Sequence, residues 1–217
     1  LREFSNNYEI NSLIIGMYTF DETLFQEIYS QQINSESFTD IFVNTYIPLL
    51  NHLGMLWQTN SIKPAHEHFI SNLIYQKIAL NIASIQLNNT DDDHTIILFL
   101  PYGEIHDLGL MFLNYSLKLQ GKKVIYLGKS IPFDNLLYLN SQIKSCTWIS
   151  YFMIDKPDQE KQEFLYNVNQ LLANTKNKCV IVGKIWDDYA KANTNDQITY
   201  KSGFDQLIST EPEPVMA

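Results

Sequence analysis

The apolar positions of this chain follow two different periods, and the change falls near residue 90. Up to about residue 88 they recur every three or four residues, which is typical of amphipathic helices. The spacing predicts four helices: near Glu9 to Phe20, from an N-cap at Asp21, from an N-cap at Ser37 to Leu56 with a bend at Pro48, and from Lys63-Pro64 to Ile82. Helices of this length with short connections predict a four-helix bundle.

The second part of the chain alternates short apolar runs with helical segments. The predicted strands are 95–100, 123–127, 147–152, 179–182 and a weaker one around 198–200. The predicted helices begin at Asp107, at Pro132 and near Asp158, and a last short helix spans about 204–208. This alternation predicts an α/β domain with a flavodoxin-like, doubly wound parallel sheet of five strands, in which ligands bind at the loop after the first strand.

A polar segment separates the two patterns. Residues 88–93 read Asn-Asn-Thr-Asp-Asp-Asp and carry no periodic apolar position. Such a segment is typical of a linker, because few buried contacts cross it. We therefore expect a helical domain over 1–90 and an α/β domain over 91–217.

Composition limits the classes of partner. The chain has 217 residues, 45% of them hydrophobic, and 15 basic against 24 acidic side chains give a formal charge of −9. A negative surface repels phosphate backbones, so we do not expect this segment to bind DNA by itself. No apolar run is long enough for a membrane span, and Cys146 and Cys179 lie in strand-like apolar runs without metal-ligand spacing. These features predict a soluble cytoplasmic protein with reduced core cysteines. The start at Leu1, without methionine, predicts that the chain is part of a longer protein.

A histidine stands directly after the first predicted strand. His106 lies in Gly-Glu-Ile-His-Asp-Leu-Gly, residues 103–109, at the place where this fold class binds ligands. A neutral imidazole can ligate a metal with one nitrogen if the other has a hydrogen-bond partner, which Glu104 or Asp107 could supply. Taken alone, the same pattern is more often a helix cap or a satisfied polar histidine.

This segment resembles the acidic-x-His-x-x-Gly motif of cobalamin-binding domains. The second strand, which ends in Gly128 and is followed by Ser-Ile-Pro at 130–132, resembles the same domains. The resemblance implies that His106 is the lower axial ligand of cobalt and that the helix approaches closely at Gly109. It also implies that Ser150 lines the channel of the displaced nucleotide tail, although an ordinary strand-end serine is an equal alternative.

The chain departs from that family after the fourth strand. The family usually has a pair of glycines there, which leaves room for the nucleotide tail, but Gly183 is followed by Lys184 and then by Trp186. Lys184 either narrows the channel, points to solvent or meets the cofactor phosphate. Trp148 and Tyr151 are also bulkier than the usual lining, so we expect altered tail binding.

The helical half is similar to the light-sensing cobalamin-dependent repressors of the CarH type. Those proteins carry a tryptophan ten residues before a Glu-His pair. Here the same interval separates Trp57 from Glu67, which His68 follows. The resemblance implies that Trp57 packs beside the adenosyl group of adenosylcobalamin and that Glu67 hydrogen-bonds the adenosine. His68 then replaces the upper ligand of cobalt after illumination. His52, His66 and His94 receive no role and are predicted to lie at the surface.

These observations lead to one leading hypothesis and two alternatives. The first is a sensory module of a MerR-type transcription regulator, in which adenosylcobalamin controls a homo-oligomer and a domain preceding Leu1 contacts DNA. The second is the corrinoid carrier of a methyltransferase, and the third is a degenerate domain that has lost the cofactor and serves in oligomerisation. No nucleophile and base set and no phosphate-binding glycine loop is recognisable in the sequence, so we do not expect an enzyme.

Overall fold

The chain divides into two compact units, Leu1–Ala83 and Ser84–Ala217. The computed structural model describes residues 2–86, 94–193, 195–203 and 207, with backbone alone for 2–7 and 191–193. The predicted linker at 88–93, and with it the predicted boundary at residue 90, lies outside the described residues. Each unit is described by itself below.

The first unit consists of helices whose starts are set by capping side chains. Its elements are α1 (Arg2–Thr19), α2 (Glu22–Ile33), α3 (Phe38–Ile41), α4 (Ile47–Gln58) and α5 (Pro64–Ser84). Asp21 accepts a hydrogen bond from the amide of Leu24 at 3.0 Å, and Ser37 accepts one from the amide of Asp40 at 3.1 Å. Both are the predicted caps, and each satisfies an amide that the first helical turn leaves unpaired.

The third predicted helix is interrupted rather than simply bent. A π-helical turn, Phe42–Tyr46, joins α3 to α4 directly before Pro48. Proline lacks the amide hydrogen that an α-helix needs at this point, and a wider turn accommodates the loss. The core of this unit lies around the turn and includes fully buried Leu13, Met17, Phe25, Ile41, Tyr46, Leu49, Ile70 and Ile74.

The second unit is a parallel sheet of five strands. Its elements are β1 (Thr95–Pro101), α6 (Leu108–Leu119), β2 (Val124–Ile131), α7 (Phe133–Gln142), β3 (Cys146–Tyr151), α8 (Asp158–Leu172), β4 (Lys178–Val182), α9 (Asp187–Asn193) and β5 (Ile198–Lys201). The strand order is β2-β1-β3-β4-β5, and all neighbours are parallel. This order confirms the flavodoxin-like winding that the sequence predicts.

The winding places the loop after β1 at the point where the strand order reverses. The chain passes from β1 to β2 on one side and then returns across β1 to β3. Because parallel crossovers are right-handed, α6 and α7 cover opposite faces of the sheet. The loop that carries His106 therefore stands where sheets of this winding bind ligands.

One helix was not predicted, and one predicted helix lies almost entirely outside the described residues. Helix α9, with a 3₁₀ turn at Lys184–Trp186 before it, stands where the sequence predicts no helix. The predicted last helix at 204–208 lies outside the described residues, apart from Leu207 in a turn.

One face of the sheet carries a core rich in aromatic side chains, packed against α7 and α8. Its buried members include Ile97, Phe99, Leu136, Trp148, Phe152, Val168, Leu171, Cys179, Ile181 and Trp186. Cys146 and Cys179 are free and buried, and burial raises the pKa of these thiols to about 11 and about 12. Across the part of the chain that the structure describes, every helix is too short or too polar to traverse a lipid bilayer.

Candidate functional site

A short loop connects β1 to α6 and carries a paired glutamate and histidine. Glu104 is buried, with 2% of its surface exposed, whereas the His106 side chain is 38% exposed. One glutamate oxygen, Oε1, accepts hydrogen bonds from the amides of Ile105 at 2.9 Å and His106 at 3.1 Å, and lies 2.5 Å from His106 Nδ1. The carboxylate therefore fixes both the loop backbone and the ring.

The pairing decides which ring nitrogen is available. A carboxylate only accepts hydrogen bonds, so Nδ1 of His106 carries the proton and Nε2 of a neutral ring keeps its lone pair. No hydrogen bond between His106 Nε2 and a described residue is present. The loop thus presents one oriented imidazole nitrogen on a partly exposed ring.

The electrostatics of the loop keep Glu104 ionised. Burial opposes the charged form and raises the pKa of Glu104, but the hydrogen bonds and charge of His106, together with the Ile105 amide, outweigh it and leave the pKa below its ordinary value. The neighbouring Tyr151 has a raised pKa, first through burial and then through the charge of Glu104, so its phenol stays neutral. The end of β3 is thereby electrostatically coupled to the loop.

Asp107, the other partner that the sequence left open, has a different role. Its Oδ2 accepts a hydrogen bond from the Tyr126 hydroxyl of β2 at 3.2 Å. Of the two acidic residues, Glu104 is therefore the one that holds the His106 ring. Gly109 is the second residue of α6 and is half-buried, and its role in a close helix approach stays a prediction.

The turn after β2 supports the loop from the side, which the sequence analysis missed. Ser130 donates its amide hydrogen to the Glu104 carbonyl at 3.1 Å, and its hydroxyl accepts from the Gly103 amide at 3.2 Å. Ser130 does this with φ +56°, a left-handed conformation that is unfavourable for a side-chain-bearing residue. Its position in the Ser-Ile-Pro segment was the available signal, but the contact depends on β1 and β2 being neighbours.

Ser150 and Gly183 lie deeper in the same unit. Ser150 is fully buried in β3 beside Phe99 of β1 and Ile181 of β4, and its hydroxyl has no hydrogen-bond partner among the described residues. We call the space beside this hydroxyl the tail slot. Gly183 directly follows β4 with φ +141°, and a Cβ there would collide with the carbonyl oxygen of Phe152.

Three residues predicted from the helical half lie in the first unit. Trp57 is near the end of α4 and 41% exposed. Glu67 and His68 lie in the first turn and a half of α5, with His68 Nδ1 2.8 Å from Glu67 Oε2 and the His68 side chain 69% exposed. The second Glu67 oxygen accepts from the Ser71 hydroxyl at 2.8 Å. An exposed indole and an exposed imidazole are accessible to a ligand, and their assigned roles stay predictions.

The remaining histidines are more embedded than the predicted surface positions. His66 accepts a hydrogen bond from the Lys63 amide at 3.2 Å and packs against the rings of Tyr18 and Phe20 at 5.3 and 5.0 Å. His94 bridges the Ser145 and Thr147 hydroxyls at 2.8 and 2.9 Å. His52 is half-buried on α4. The side chains of His66 and His94 are therefore occupied by structural contacts.

An α/β unit with an oriented imidazole follows a helical unit along the chain, and known proteins are similar to parts of this chain. Residues 10–80 match the family model described as the B12 binding domain. The HTH-type transcriptional repressor CarH of Myxococcus xanthus is 21% identical over 125 residues, which cover 58% of this chain and 41% of that relative. The match thus spans less than half of the curated relative's length.

Solved structures agree on the fold. The monomethylamine corrinoid protein of Methanosarcina barkeri superposes with a TM-score of 0.68 at 14% identity, covering 91% of each chain. The methanol:cobalamin methyltransferase complex of the same organism gives a TM-score of 0.42 at 15% identity, covering 91% of this chain and 76% of that one. The first of these likenesses shows the fold, and the family match over residues 10–80 supports a cobalamin-binding domain.

The residues present fit one end of a cobalamin and not the other. A corrin brings its own nitrogen donors to cobalt, so a single oriented imidazole such as that of His106 would be the donor that the protein adds. Nowhere in the described ranges do three His, Cys, Asp or Glu side chains converge to hold a bare ion. At the other end, the resemblance places the nucleotide tail beside Ser150, whose side chain has no exposed surface, so no open space adjoins its hydroxyl.

Proposed function

We propose that this chain is the cofactor-binding sensory module of a cytoplasmic transcription regulator and has no enzymatic activity of its own. The observation that carries the proposal is the His106 ring, held by Glu104 at the switch point of a sheet that follows a B12-type helical segment. Similarity to a transcriptional repressor supports the regulatory class. Adenosylcobalamin would supply a cobalt–carbon bond that light can break.

The residues that would hold the cofactor are His106 of the second unit, for the cobalt, and Trp57, Glu67 and His68 of the first unit, for the adenosyl group. A ligand that binds one oligomeric state of the chain more tightly than another shifts the population towards that state. DNA contact belongs to a separate domain of the full-length MerR-type protein, in agreement with the charge of −9 on this chain.

The test combines absorbance with chromatography. Wild-type protein is incubated with adenosylcobalamin in darkness, and its visible spectrum and elution volume are recorded before and after illumination. We expect a bound spectrum and a change of oligomer size on illumination, both abolished in His106→Ala. Glu104→Gln should weaken binding about 10- to 100-fold, because it removes the charged partner of the His106 ring. Asp107→Asn is the matched control, because it removes the charge of an acidic side chain that contacts Tyr126 and not His106.

A cofactor-free oligomerisation module is the second candidate, and the buried Ser150 hydroxyl favours it. That candidate predicts an unchanged spectrum with every corrinoid and one oligomer size in darkness and light. A bound spectrum with a fixed size would remove the light switch but leave a corrinoid carrier, whose test is methyl transfer with a partner enzyme.

A further inference from the structure

We propose that Phe152 and Trp186 close the tail slot, so that the His106 loop takes corrinoids without a lower nucleotide tail in preference to complete cobalamin. This inference rests on the proposed function in one respect: it requires His106 to bind cobalt. It goes beyond that function because it names the class of corrinoid that the site accepts.

The slot is closed first by ring packing. Trp186 is fully buried, and its ring centroid lies 5.1 Å from that of Phe152 and 5.7 Å from that of Phe164. Phe152 meets Phe164 edge-on at 4.8 Å. Phe152 follows Ser150 at a spacing of two on the same face of the sheet. Ser150 has no exposed surface, so no open space adjoins its hydroxyl beside these rings.

The backbone segments after β3 and after β4 also lie close together beside the slot. The amide of Phe152 donates to the carbonyl of Val182 at 2.9 Å, and the amide of Gly183 donates to the carbonyl of Lys201 at 2.8 Å. The glycine at 183 therefore permits the chain after β4 to approach the chain after β3, rather than leaving an open channel. The Trp186 amide then donates to the Gly183 carbonyl at 3.1 Å in the 3₁₀ turn, while Lys184 is exposed.

The tail slot lies next to the strand that leads into the histidine loop. Ser150 is the register partner of Phe99 in β1, and the loop that carries His106 follows β1. A nucleotide tail in the position that the cobalamin-domain resemblance implies would lie beside Ser150. A corrinoid without the tail has a free lower face and needs no such space, so it binds without moving Trp186.

The probes are aquacobalamin and diaquacobinamide, which differ in the lower nucleotide tail. Each is titrated into wild-type protein, His106→Ala, Trp186→Leu and Phe112→Leu, with visible absorbance as the readout of cobalt ligation. Phe112 is equally buried but lies in α6, on the opposite face of the sheet, so it controls for a cavity in the core. Thermal unfolding by circular dichroism verifies that each variant is folded; Phe152→Leu replaces Trp186→Leu if the latter is not.

Trp186→Leu tests whether the slot is closed. The preference of wild type for cobinamide does not test it alone, because the base of the tail in complete cobalamin competes with His106 for cobalt. We expect wild type to bind cobinamide at least about tenfold more tightly than cobalamin. Trp186→Leu should then gain about tenfold for cobalamin while its cobinamide affinity changes by less than about threefold. Phe112→Leu should keep the wild-type ratio, and His106→Ala should lose ligation of both.

Each contrary outcome has a distinct meaning. Equal binding of both corrinoids by wild type, or an unchanged ratio in Trp186→Leu, overturns the closed slot and leaves the proposed function intact. In the first case the tail would use the cavity of about 330 Å³ that Phe99, Phe152 and Phe164 line between α7 and α8. Failure of wild type to ligate either corrinoid overturns the proposed function and this inference with it.

Discussion

A single carboxylate organises the candidate site at the scale of residues. Oε1 of Glu104 receives two loop amides and the His106 ring, while Oε2 is buried without a hydrogen-bond partner among the described residues. Such a group is stabilising only while it is charged and its donors are in place. The ligand geometry and the local stability of the loop therefore depend on the same interaction.

The pH dependence of stability follows from the depressed pKa of Glu104. A carboxyl whose folded-state pKa lies below its unfolded value contributes stability above about pH 4.3, and this contribution is lost as the pH falls through the folded pKa. Glu104→Gln should therefore cost about 2 kcal/mol in the unfolding free energy of the ligand-free protein at pH 7 and progressively less towards pH 3. Urea unfolding at several pH values measures this difference.

The control for this measurement is Glu163→Gln, which removes one charge from an exposed position on α8. It should leave the unfolding free energy within about 0.5 kcal/mol of wild type. A deficit of Glu104→Gln that is constant from pH 7 to pH 3 would contradict the argument from ionisation.

Ser150 provides a prediction of opposite sign. Its buried hydroxyl is unsatisfied among the described residues, which costs about 1 to 3 kcal/mol, so Ser150→Ala should stabilise the ligand-free protein by about 1 kcal/mol. The matched control is Ser116→Ala, since the equally buried Ser116 hydroxyl donates to the Phe112 carbonyl at 3.0 Å. Chemical denaturation should show a gain for the first variant and none for the second; a loss for Ser150→Ala would mean that the hydroxyl has a protein partner.

At the scale of elements, strained or irregular segments are stabilised by side chains from neighbouring elements. Ser130 keeps its left-handed backbone because both of its polar groups are used by the loop after β1. The π turn before Pro48 is similarly tied to α2, where the Gln32 amide donates to the Thr45 hydroxyl at 2.8 Å between two buried side chains. Local irregularity thus persists where tertiary contacts compensate for it.

The π turn is tested by removing that hydroxyl. Thr45→Val leaves the Gln32 amide buried without its acceptor and should lower the unfolding free energy by about 1 to 3 kcal/mol. Adding Gln32→Met removes the orphaned amide as well, so the double variant should recover most of the loss, as a double-mutant cycle in urea would show. Thr45→Val within about 0.5 kcal/mol of wild type would show that the contact does not hold the turn.

At the scale of the whole molecule, the net charge bears on the proposal that DNA contact belongs to a separate domain. With 24 acidic and 15 basic side chains, the chain repels a polyanion at long range. This agrees with the similarity to part of a repressor, in which the match covers 41% of the relative.

We therefore expect this chain alone to show no binding to duplex DNA by fluorescence anisotropy at about 50 mM salt, where electrostatic attraction is strong. An oligolysine peptide on the same duplex serves as the positive control. Binding that weakens steeply with added salt would contradict the prediction, because it would reveal a basic surface concealed by the net charge.

The sequence by itself determined most of the elements, although not α9, and the position of the loop. Periodicities of about 3.6 and 2 residues separate helices from strands, and the alternation of strands with helices leaves few topologies once right-handed crossovers are required. Asp21 and Ser37 could be predicted as caps because capping depends on residues three positions apart. His106 could be placed because the end of the first strand is the switch point of this winding.

Only the tertiary structure decided which groups meet. The choice of Glu104 over Asp107 as the partner of the ring depends on loop geometry, and Ser130 reaches the loop only because β1 and β2 are neighbours. Likewise, Trp186 packs against Phe152, and the tight approach of Gly183 to the Phe152 carbonyl brings these two segments together. Periodicity along the chain reports burial, whereas such contacts depend on distances between segments far apart in sequence.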